Sequence, residues 1–145
     1  MLLMASPDLG TIRERKPFTV TVGLGYPELI HADVSYTFVD RITASLGAGA
    51  SLGGAALRIA GLWHALASAN HGHSLFLGPA LTVFPPGPFF GSNRLVLIPL
   101  AMVGWEWRAL FGLTLRVSGG GGAEVNVGVG TSPTFAARVD LGWSF

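Results

Sequence analysis

Apolar residues alternate with small, polar or charged residues at every second position along most of the chain. The pattern is clearest near the end of the sequence, where Val139 and Trp143 have one parity and Asp140 has the other. Successive side chains of a β-strand point to opposite faces, so the alternation predicts strands with one apolar and one polar face. Eight segments are predicted to form such strands: 18–25, 30–38, 42–49, 56–65, 74–84, 95–107, 111–118 and 135–145.

The connections between these segments alternate in length. Short turns are predicted at 39–41, 69–72 and 108–109, and longer loops at 26–28, 85–93 and 119–133. This alternation is typical of outer-membrane barrels, in which about ten tilted residues span an apolar band of roughly 25 Å. The sequence therefore predicts an all-β fold, an eight-stranded antiparallel up-and-down transmembrane β-barrel. Residues 1–145 are expected to form one domain, with 1–16 as an N-terminal extension that is either disordered or packed on the barrel.

The composition requires apolar surface that does not face water. Half of the residues are hydrophobic, 12% are charged and the mean hydropathy is +0.52, which fits a soluble domain poorly. Two other folds fit the sequence less well. Membrane helices at 42–69 and 95–115 are disfavoured by internal glycines and Pro99, and a lipocalin-like barrel would carry its apolar residues inside.

A net charge of +1 with dispersed basic residues argues against nucleic-acid binding, and the absence of cysteine excludes disulfides and thiolate metal sites.

The beginning of the sequence bears on secretion. Residues 1–10 lack the basic start and the long apolar core of a secretory signal, which an outer-membrane protein requires. This interpretation therefore expects a numbering that begins after cleavage, or a true start upstream of residue 1.

The end of the final predicted strand, residues 140–145, resembles the recognition signal of outer-membrane barrels, which has aromatic residues at alternate positions and a terminal Phe. Trp143 and Phe145 match that pattern, whereas the glycine usual at the position of Asp140 lies instead at Gly142. The resemblance implies that the chain is assembled by the barrel-insertion machinery, with Trp143 and Phe145 as the C-terminal assembly signal.

A second, local resemblance covers 97–105 and 111–115, which are similar to strands of the lipid A palmitoyltransferase family. That family carries a His on one outer loop and an Asp-Ser pair on another. His31 fits the first role, but the chain contains no Asp-Ser dipeptide, so the activity is not carried over.

Charged residues of both signs occupy polar positions on several of the predicted strands. They are Asp33, Arg58, Glu106, Arg116, Arg138 and Asp140. The lumen of an eight-stranded barrel is filled by its own side chains, so these groups must pair with one another. We therefore predict a lumen charge network with a structural role, and inward glycines such as Gly23 and Gly47 leave the volume that long arginine side chains need.

Three histidines, His64, His71 and His73, lie near the turn after the fourth strand. A metal site needs a further ligand, which the sequence does not offer nearby, so we predict solvated turn histidines, no metal and no cofactor. The adjoining Ser74 invites comparison with lipid A deacylases, which place His and Ser on a lipid-facing strand. Their His-x-Ser-Asn string is absent here, so no catalytic residue is predicted and an enzyme is the less favoured alternative.

The parity of the fifth and sixth strands places apolar residues in the lumen. The predicted apolar lumen wall comprises Leu62, Phe76, Ala80, Val96, Ile98, Leu100 and Met102. Pro79 and Pro99 are predicted to lie nearly opposite each other, and neither can donate a ladder hydrogen bond. They predict a lateral gap between strands 5 and 6 that could admit an acyl chain. A bulge that reverses the parity, or residues 1–3 packed inside, would explain the same pattern.

Together these features predict a non-enzymatic integral outer-membrane barrel of the Gram-negative cell envelope. It would have a packed lumen, no open channel and a structural, interaction or lipid-contacting role. The expected partners are membrane lipid, lipopolysaccharide, the barrel-insertion machinery and other envelope proteins, but not nucleic acid. Two alternatives stay open: a lipid-modifying or acyl-chain-binding barrel with lateral access between strands 5 and 6, and a barrel subunit of a larger envelope complex. A bound acyl chain in the lumen would distinguish the first alternative.

Overall fold

A computed structural model describes residues 12–39, 41–67, 72–87 and 93–145. Within these ranges the chain forms one short helix and eight strands. Their bounds are α1 Ile12–Arg15, β1 Phe18–Tyr26, β2 Ile30–Val39, β3 Ile42–Ser51, β4 Gly54–Ala67, β5 His73–Phe84, β6 Val96–Arg108, β7 Leu113–Asn126 and β8 Gly130–Ser144. In the described part of the chain, no helix is long and apolar enough to cross a membrane.

Each strand pairs antiparallel with its neighbours in sequence, and β1 also pairs with β8. The closing pair runs in register from Thr19 opposite Ser144 to Tyr26 opposite Ala137. Closure removes the free edges that an open sheet would expose. The predicted all-β fold, an eight-stranded antiparallel up-and-down closed barrel, is therefore confirmed.

The two faces of the sheet differ sharply in polarity. Inward positions on the first strands are polar and buried: Thr19, Thr21, His31, Asp33, Ser35, Thr37, Thr43 and Ser45. Outward positions carry exposed apolar side chains: Val20, Val22, Leu24, Val34, Phe38, Leu46, Leu57, Ile59, Val103, Val139 and Leu141. A water-soluble barrel has the opposite distribution, with its apolar side chains inside.

One sector of the lumen is apolar. Its buried side chains are Ala56, Ala60, Leu62, Phe76, Ala80, Phe84, Ile98, Leu100, Met102 and Ala136. They come mainly from β4, β5 and β6, opposite the polar side chains of β1 to β3. The lumen therefore has an apolar sector on β4 to β6 and a polar one on β1 to β3, whereas the buried charges come from strands on both sides, among them Asp33 of β2 and Glu106 of β6.

The prediction of a long loop at 119–133 is wrong, because most of these residues belong to strands. β7 continues to Asn126 and β8 begins at Gly130, so the connection is a turn at 127–129. The run of glycines in β7 favours a loop by composition alone. In the barrel this run lies close to β6, and a Cβ on Gly122 would come within 1.9 Å of the Pro99 carbonyl oxygen. The absence of a side chain at Gly120 and Gly122 permits this close approach to β6.

The predicted alternation of short turns and longer loops is wrong. At one end of the barrel the connections are 27–29, 52–53, 85–95 and 127–129, so three of the four have only two or three residues, whereas the connections 68–72 and 109–112 at the other end have five and four.

The segment at 12–17 packs over the lumen at the end that carries the connections β2–β3, β4–β5 and β6–β7, where the short turns were predicted; we call it the short-turn end. Ile12 and Arg13 are buried, and the backbone amide of Thr37 donates to the Pro17 carbonyl at 2.9 Å. Arg108 donates to the Lys16 carbonyl at 3.0 Å. This part of the predicted N-terminal extension is thus packed on the barrel, whereas residues 1–11 lie outside the described residues.

Candidate functional site in the barrel lumen

Glu106 accepts hydrogen bonds from guanidinium groups on three different elements. Among the described side chains, Arg13 of α1 and Arg108 of β6 donate to Oε1 at 3.1 and 2.8 Å. Arg116 of β7 donates to Oε2 through both Nε and Nη2, at 3.0 and 2.6 Å. All four side chains are almost wholly buried. These four groups hold three positive charges against one negative charge, so Glu106 is the only charge among them that opposes the arginines.

A second cluster lies next to the first, because Arg116 and Asp140 are register partners on β7 and β8. Its centre is Arg138, which donates through Nη2 to Asp33 at 2.5 Å and whose Nη2 lies 3.7 Å from Asp140. Nε2 of His31 contacts Oδ1 of Asp140 and lies 3.1 Å from Nε of Arg138, so it forms a hydrogen bond with one or the other according to its tautomer. Arg58, 3.9 Å from Asp33, completes a group with balanced formal charge.

Two inward glycines allow the charged residues of alternate strands to meet. Gly23 on β1 lies between His31 on β2 and Asp140 on β8, and is the register partner of both. Gly47 on β3 lies in the same way between Asp33 and Arg58. A side chain at either glycine would occupy the space in which these groups contact one another. The two glycines are therefore part of the network.

Gly47→Ala is expected to lower the free energy of unfolding by about 1–3 kcal/mol, the usual cost of overpacking. Its Cβ would lie 1.7 Å from Oδ1 of Asp33, so that carboxylate would have to move away from Arg138. Gly61→Ala is the matched control, since no heavy atom lies within 4 Å of the Cβ it would add. Chemical denaturation of both variants measures the difference. Equal stability of the two would contradict the role assigned to Gly47.

The structure corrects the prediction of solvated turn histidines at His64. This residue is fully buried in the lumen, where Nδ1 shares a hydrogen bond with the Ser74 hydroxyl at 2.5 Å and Nε2 shares one with Thr43 at 3.1 Å. A bulge-like register shift in β4 follows it. His73 is exposed and stacks on Trp105 at 5.5 Å between ring centroids, whereas His71 lies outside the described residues.

The pair of Ser74 and His64 resembles a nucleophile and its base in composition but not in setting. In a hydrolytic triad the second imidazole nitrogen faces a carboxylate, whereas here it faces the hydroxyl of Thr43. All three side chains are buried, so a substrate has no contact with the hydroxyl. The arrangement serves to satisfy buried polar groups.

His31, Asp33 and Asp140 could together hold a metal ion. Each offers one ligand atom, and these atoms lie within 4.8 Å of one another. The guanidinium of Arg138, however, already contacts all three residues. A cation would have to displace Arg138 and leave its charge buried without a partner, which opposes metal binding. The arrangement therefore fits an ion-pair network better than a metal site.

The structure places the seven residues of the apolar wall at inward positions, although Val96 is only partly buried. Pro79 lies opposite Ala101 and Pro99 lies opposite Leu81, so the two prolines are nearly opposite each other, offset by two residues along the strands. The register of β5 with β6 is unbroken from His73 to Phe84, so a gap between strands 5 and 6 is not observed. Strand pairing is interrupted at two other places: between β5 and β4 at Pro79, and between β6 and β7 at Pro99. A proline lacks one donor, and here each interruption falls on the outer flank of the β5–β6 hairpin.

A cavity of about 360 Å³ opens at the end of the barrel opposite the short-turn end, where β1 joins β2 and β3 joins β4. It is lined by Tyr26, Pro27, Leu29, Ser51, Leu52, Gly53, Phe84, Val96, Ile98 and Glu124. Glu28, beside this lining, is buried and accepts a hydrogen bond from Thr82 at 2.9 Å. We call this cavity the mouth cavity.

Three buried charged residues were not predicted from the sequence. Arg108 could have been found by continuing the inward parity of Glu106 by two residues, beyond the predicted end of the strand at Trp107. Arg13 and Glu28 gave no such signal, because they lie outside the alternating segments. Both of the latter fold back over the lumen from the segments that flank β1.

The residues of the predicted assembly signal lie at the end of β8 and point outward. Trp143 packs against Phe111 with ring centroids 5.7 Å apart, and Phe145 packs against Phe18 at 6.3 Å.

Comparison with protein families, with curated proteins and with solved structures finds no match for the chain. Functional inference therefore rests on the geometry of the barrel itself.

Proposed function

We propose that the chain is an integral β-barrel of the bacterial outer membrane, with a packed lumen and a structural or lipid-contacting role. The observation that carries the proposal is the distribution of side chains between the two faces. Apolar side chains cover the outside of β1 to β3 while buried polar and charged side chains fill the inside. In water the outer face would expose a large apolar surface, whereas in lipid that surface is favourable.

The placement of aromatic residues supports the same proposal. Outward rings pair at the short-turn end: Phe18 with Phe145, Tyr36 with Phe38, Phe111 with Trp143, and Trp105 with His73. At the opposite end, Tyr26 stacks on Phe135 at 4.9 Å. Transmembrane barrels carry such aromatic girdles at both membrane–water interfaces, because these rings have an apolar body and, in Tyr and Trp, a polar edge. We refer to the short-turn group as the aromatic belt.

The interior favours a structural role over catalysis and conduction. The charged groups of the two clusters pair with one another, and segment 12–17 packs over one end of the lumen. A general acid or base must reach a substrate atom, and a channel requires a continuous aqueous path. The charge network instead links α1 and β7 to β6, and β4 and β8 to β2, through buried ion pairs.

The proposal is tested by refolding the chain into detergent micelles and into phospholipid vesicles. Far-UV circular dichroism is expected to show dominant β structure in both, and unboiled samples are expected to migrate differently from boiled ones on gels. The physical reason is that a closed barrel in detergent keeps all of its backbone hydrogen bonds. A chain that reaches the same folded state in buffer alone, and stays outside vesicles on flotation, would contradict a membrane location.

A second candidate function is the binding of an apolar ligand. The mouth cavity favours it, because Phe84 and Ile98 in its lining belong to the apolar sector of the lumen. Access would be from the mouth, or laterally at the interruptions beside Pro79 and Pro99, rather than between strands 5 and 6. Mass spectrometry of the same refolded sample, after exposure to membrane lipid, distinguishes the candidates, since a retained acyl chain favours binding and its absence favours the structural role.

A further inference from the structure

A second cavity of about 360 Å³ lies at the short-turn end, between α1 and the turn that joins β6 to β7. Its lining combines two chemistries: Ile12, Leu110 and Phe145 are apolar, and Arg15 and Lys16 are basic. We call it the rim cavity. An apolar wall next to two cations is suited to an amphiphile that carries a negative charge.

The two cations of the rim cavity differ from the other basic residue of the same helix. Arg13 is buried and pairs with Glu106, whereas Arg15 is exposed and Lys16 is half-buried. Among the described residues, neither Arg15 nor Lys16 forms an ion pair with a carboxylate. Within the described part of the chain, both charges are therefore available to a ligand.

The surroundings strengthen the positive potential at this end. Described side chains close to the rim cavity and in the cluster around Glu106 include five that are basic and three that are acidic, a net formal charge of +2: Arg13, Arg15, Lys16, Arg108 and Arg116 against Glu14, Glu106 and Asp140. The excess in the buried cluster is screened less by salt than surface charges are. An anion at the rim cavity is thus attracted by buried and exposed charge together.

The apolar half of the rim cavity is continuous with the outer surface of the barrel. Leu110 is 68% exposed and Phe145 is 60% exposed, and both lie beside the aromatic belt. Phe145 contacts Phe18 of the belt, and Leu110 precedes Phe111, which packs on Trp143. A ligand with its anionic group against Arg15 and Lys16 would have its apolar part along the lipid-facing surface.

We propose that the rim cavity binds an anionic phospholipid from the adjoining leaflet. The headgroup phosphate contacts Arg15 and Lys16, and an acyl chain follows Leu110 and Phe145. This inference rests on the proposed membrane location. A phospholipid with a net negative headgroup is preferred over a zwitterionic one, because the choline cation of the latter would meet the same basic surface.

The test uses the chain folded in detergent, titrated separately with dioctanoyl phosphatidylglycerol and dioctanoyl phosphatidylcholine. Native mass spectrometry measures the affinity for each lipid. Arg15→Gln and Lys16→Gln are each expected to weaken phosphatidylglycerol binding roughly 5-fold, and the double variant about 25-fold. Arg41→Gln is the matched control, since Arg41 is an exposed cation on another short turn and is expected to change affinity little.

Three results would overturn the inference: equal affinity for the two lipids, an Arg41→Gln effect as large as that of the double variant, or displacement of phosphatidylglycerol by excess inorganic phosphate alone. The last result would identify a free-phosphate site. Heat-dependent gel migration of the same samples reports whether the barrel is folded. A folded barrel without lipid preference contradicts this inference alone, whereas a chain that does not fold in detergent contradicts the membrane location and the inference together.

Discussion

Glu106→Gln is expected to lower the free energy of unfolding by about 3–5 kcal/mol, the usual cost of breaking a buried charge pair. The glutamine has nearly the same shape, so the loss is electrostatic. It would leave Arg13, Arg108 and Arg116 close together in the lumen without the carboxylate to which all three donate. Urea denaturation of the protein in detergent micelles measures the change.

The excess of positive charge gives this prediction a second, sharper part. Arg116→Leu should cost less than Glu106→Gln, because Glu106 keeps Arg13 and Arg108 as donors when Arg116 is removed. Glu124→Gln is the control for loss of a carboxylate elsewhere. Glu124 is half-buried at the mouth cavity and accepts a hydrogen bond from the Asn126 side-chain amide at 2.8 Å. A change of about 1 kcal/mol in the free energy of unfolding is therefore expected. If Arg116→Leu is the more damaging variant, the charge imbalance at Glu106 has been misjudged.

Leu46→Arg is expected to destabilise the barrel in phospholipid vesicles by about 2–4 kcal/mol, the cost of a lipid-facing charge near the middle of a membrane. Leu46 points outward midway along β3, between Val34 and Ile59 on the neighbouring strands, and is 62% exposed. On a barrel surrounded by water, the same change would remain within about 0.5 kcal/mol. The free energy of unfolding in vesicles therefore reports the environment of the outer face.

Leu52→Arg provides the matched control for that measurement. Leu52 is 97% exposed, but it lies in the turn between β3 and β4 rather than on the wall of the barrel. The Leu-to-Arg substitution at this position should change the free energy of unfolding little, because a turn at the rim is in contact with water whether lipid or water surrounds the barrel wall. Equal tolerance of both substitutions would argue against lipid around the barrel wall.

The fold could be predicted from the sequence because its main determinant is local. A strand with different environments on its two faces has a period of two, and this period is visible wherever the inward residues are polar or small. The signal fails in the glycine run at 119–122, where residues without side chains carry no parity. β7 was predicted to end too early there, although pairing with β6 and β8 continues to Asn126.

The site could be predicted only in part, for a related physical reason. Parity assigns an inward direction to Asp33, Arg116 and Asp140, but it does not say which carboxylate each arginine meets. That choice depends on the register between strands and on the glycines that separate charged partners, such as Gly23. Arg13 reaches Glu106 across 93 residues of sequence from a segment without alternation, and no local pattern could have identified the pair.

The β7–β8 hairpin has a consequence for recognition from outside the barrel. β7 and β8 stay paired as far as Asn126 and Gly130, beyond the level at which β1 ends at Tyr26 opposite Ala137. The projecting part, near Ser132 and Pro133, is exposed on both faces, unlike the barrel wall below it. β6 stays paired with β7 as far as Val96 opposite Asn126, so the projecting part is one raised side of the barrel wall, with β8 as its edge next to β1. A large molecule approaching this end would therefore meet that raised side before it met the lower rim at β1.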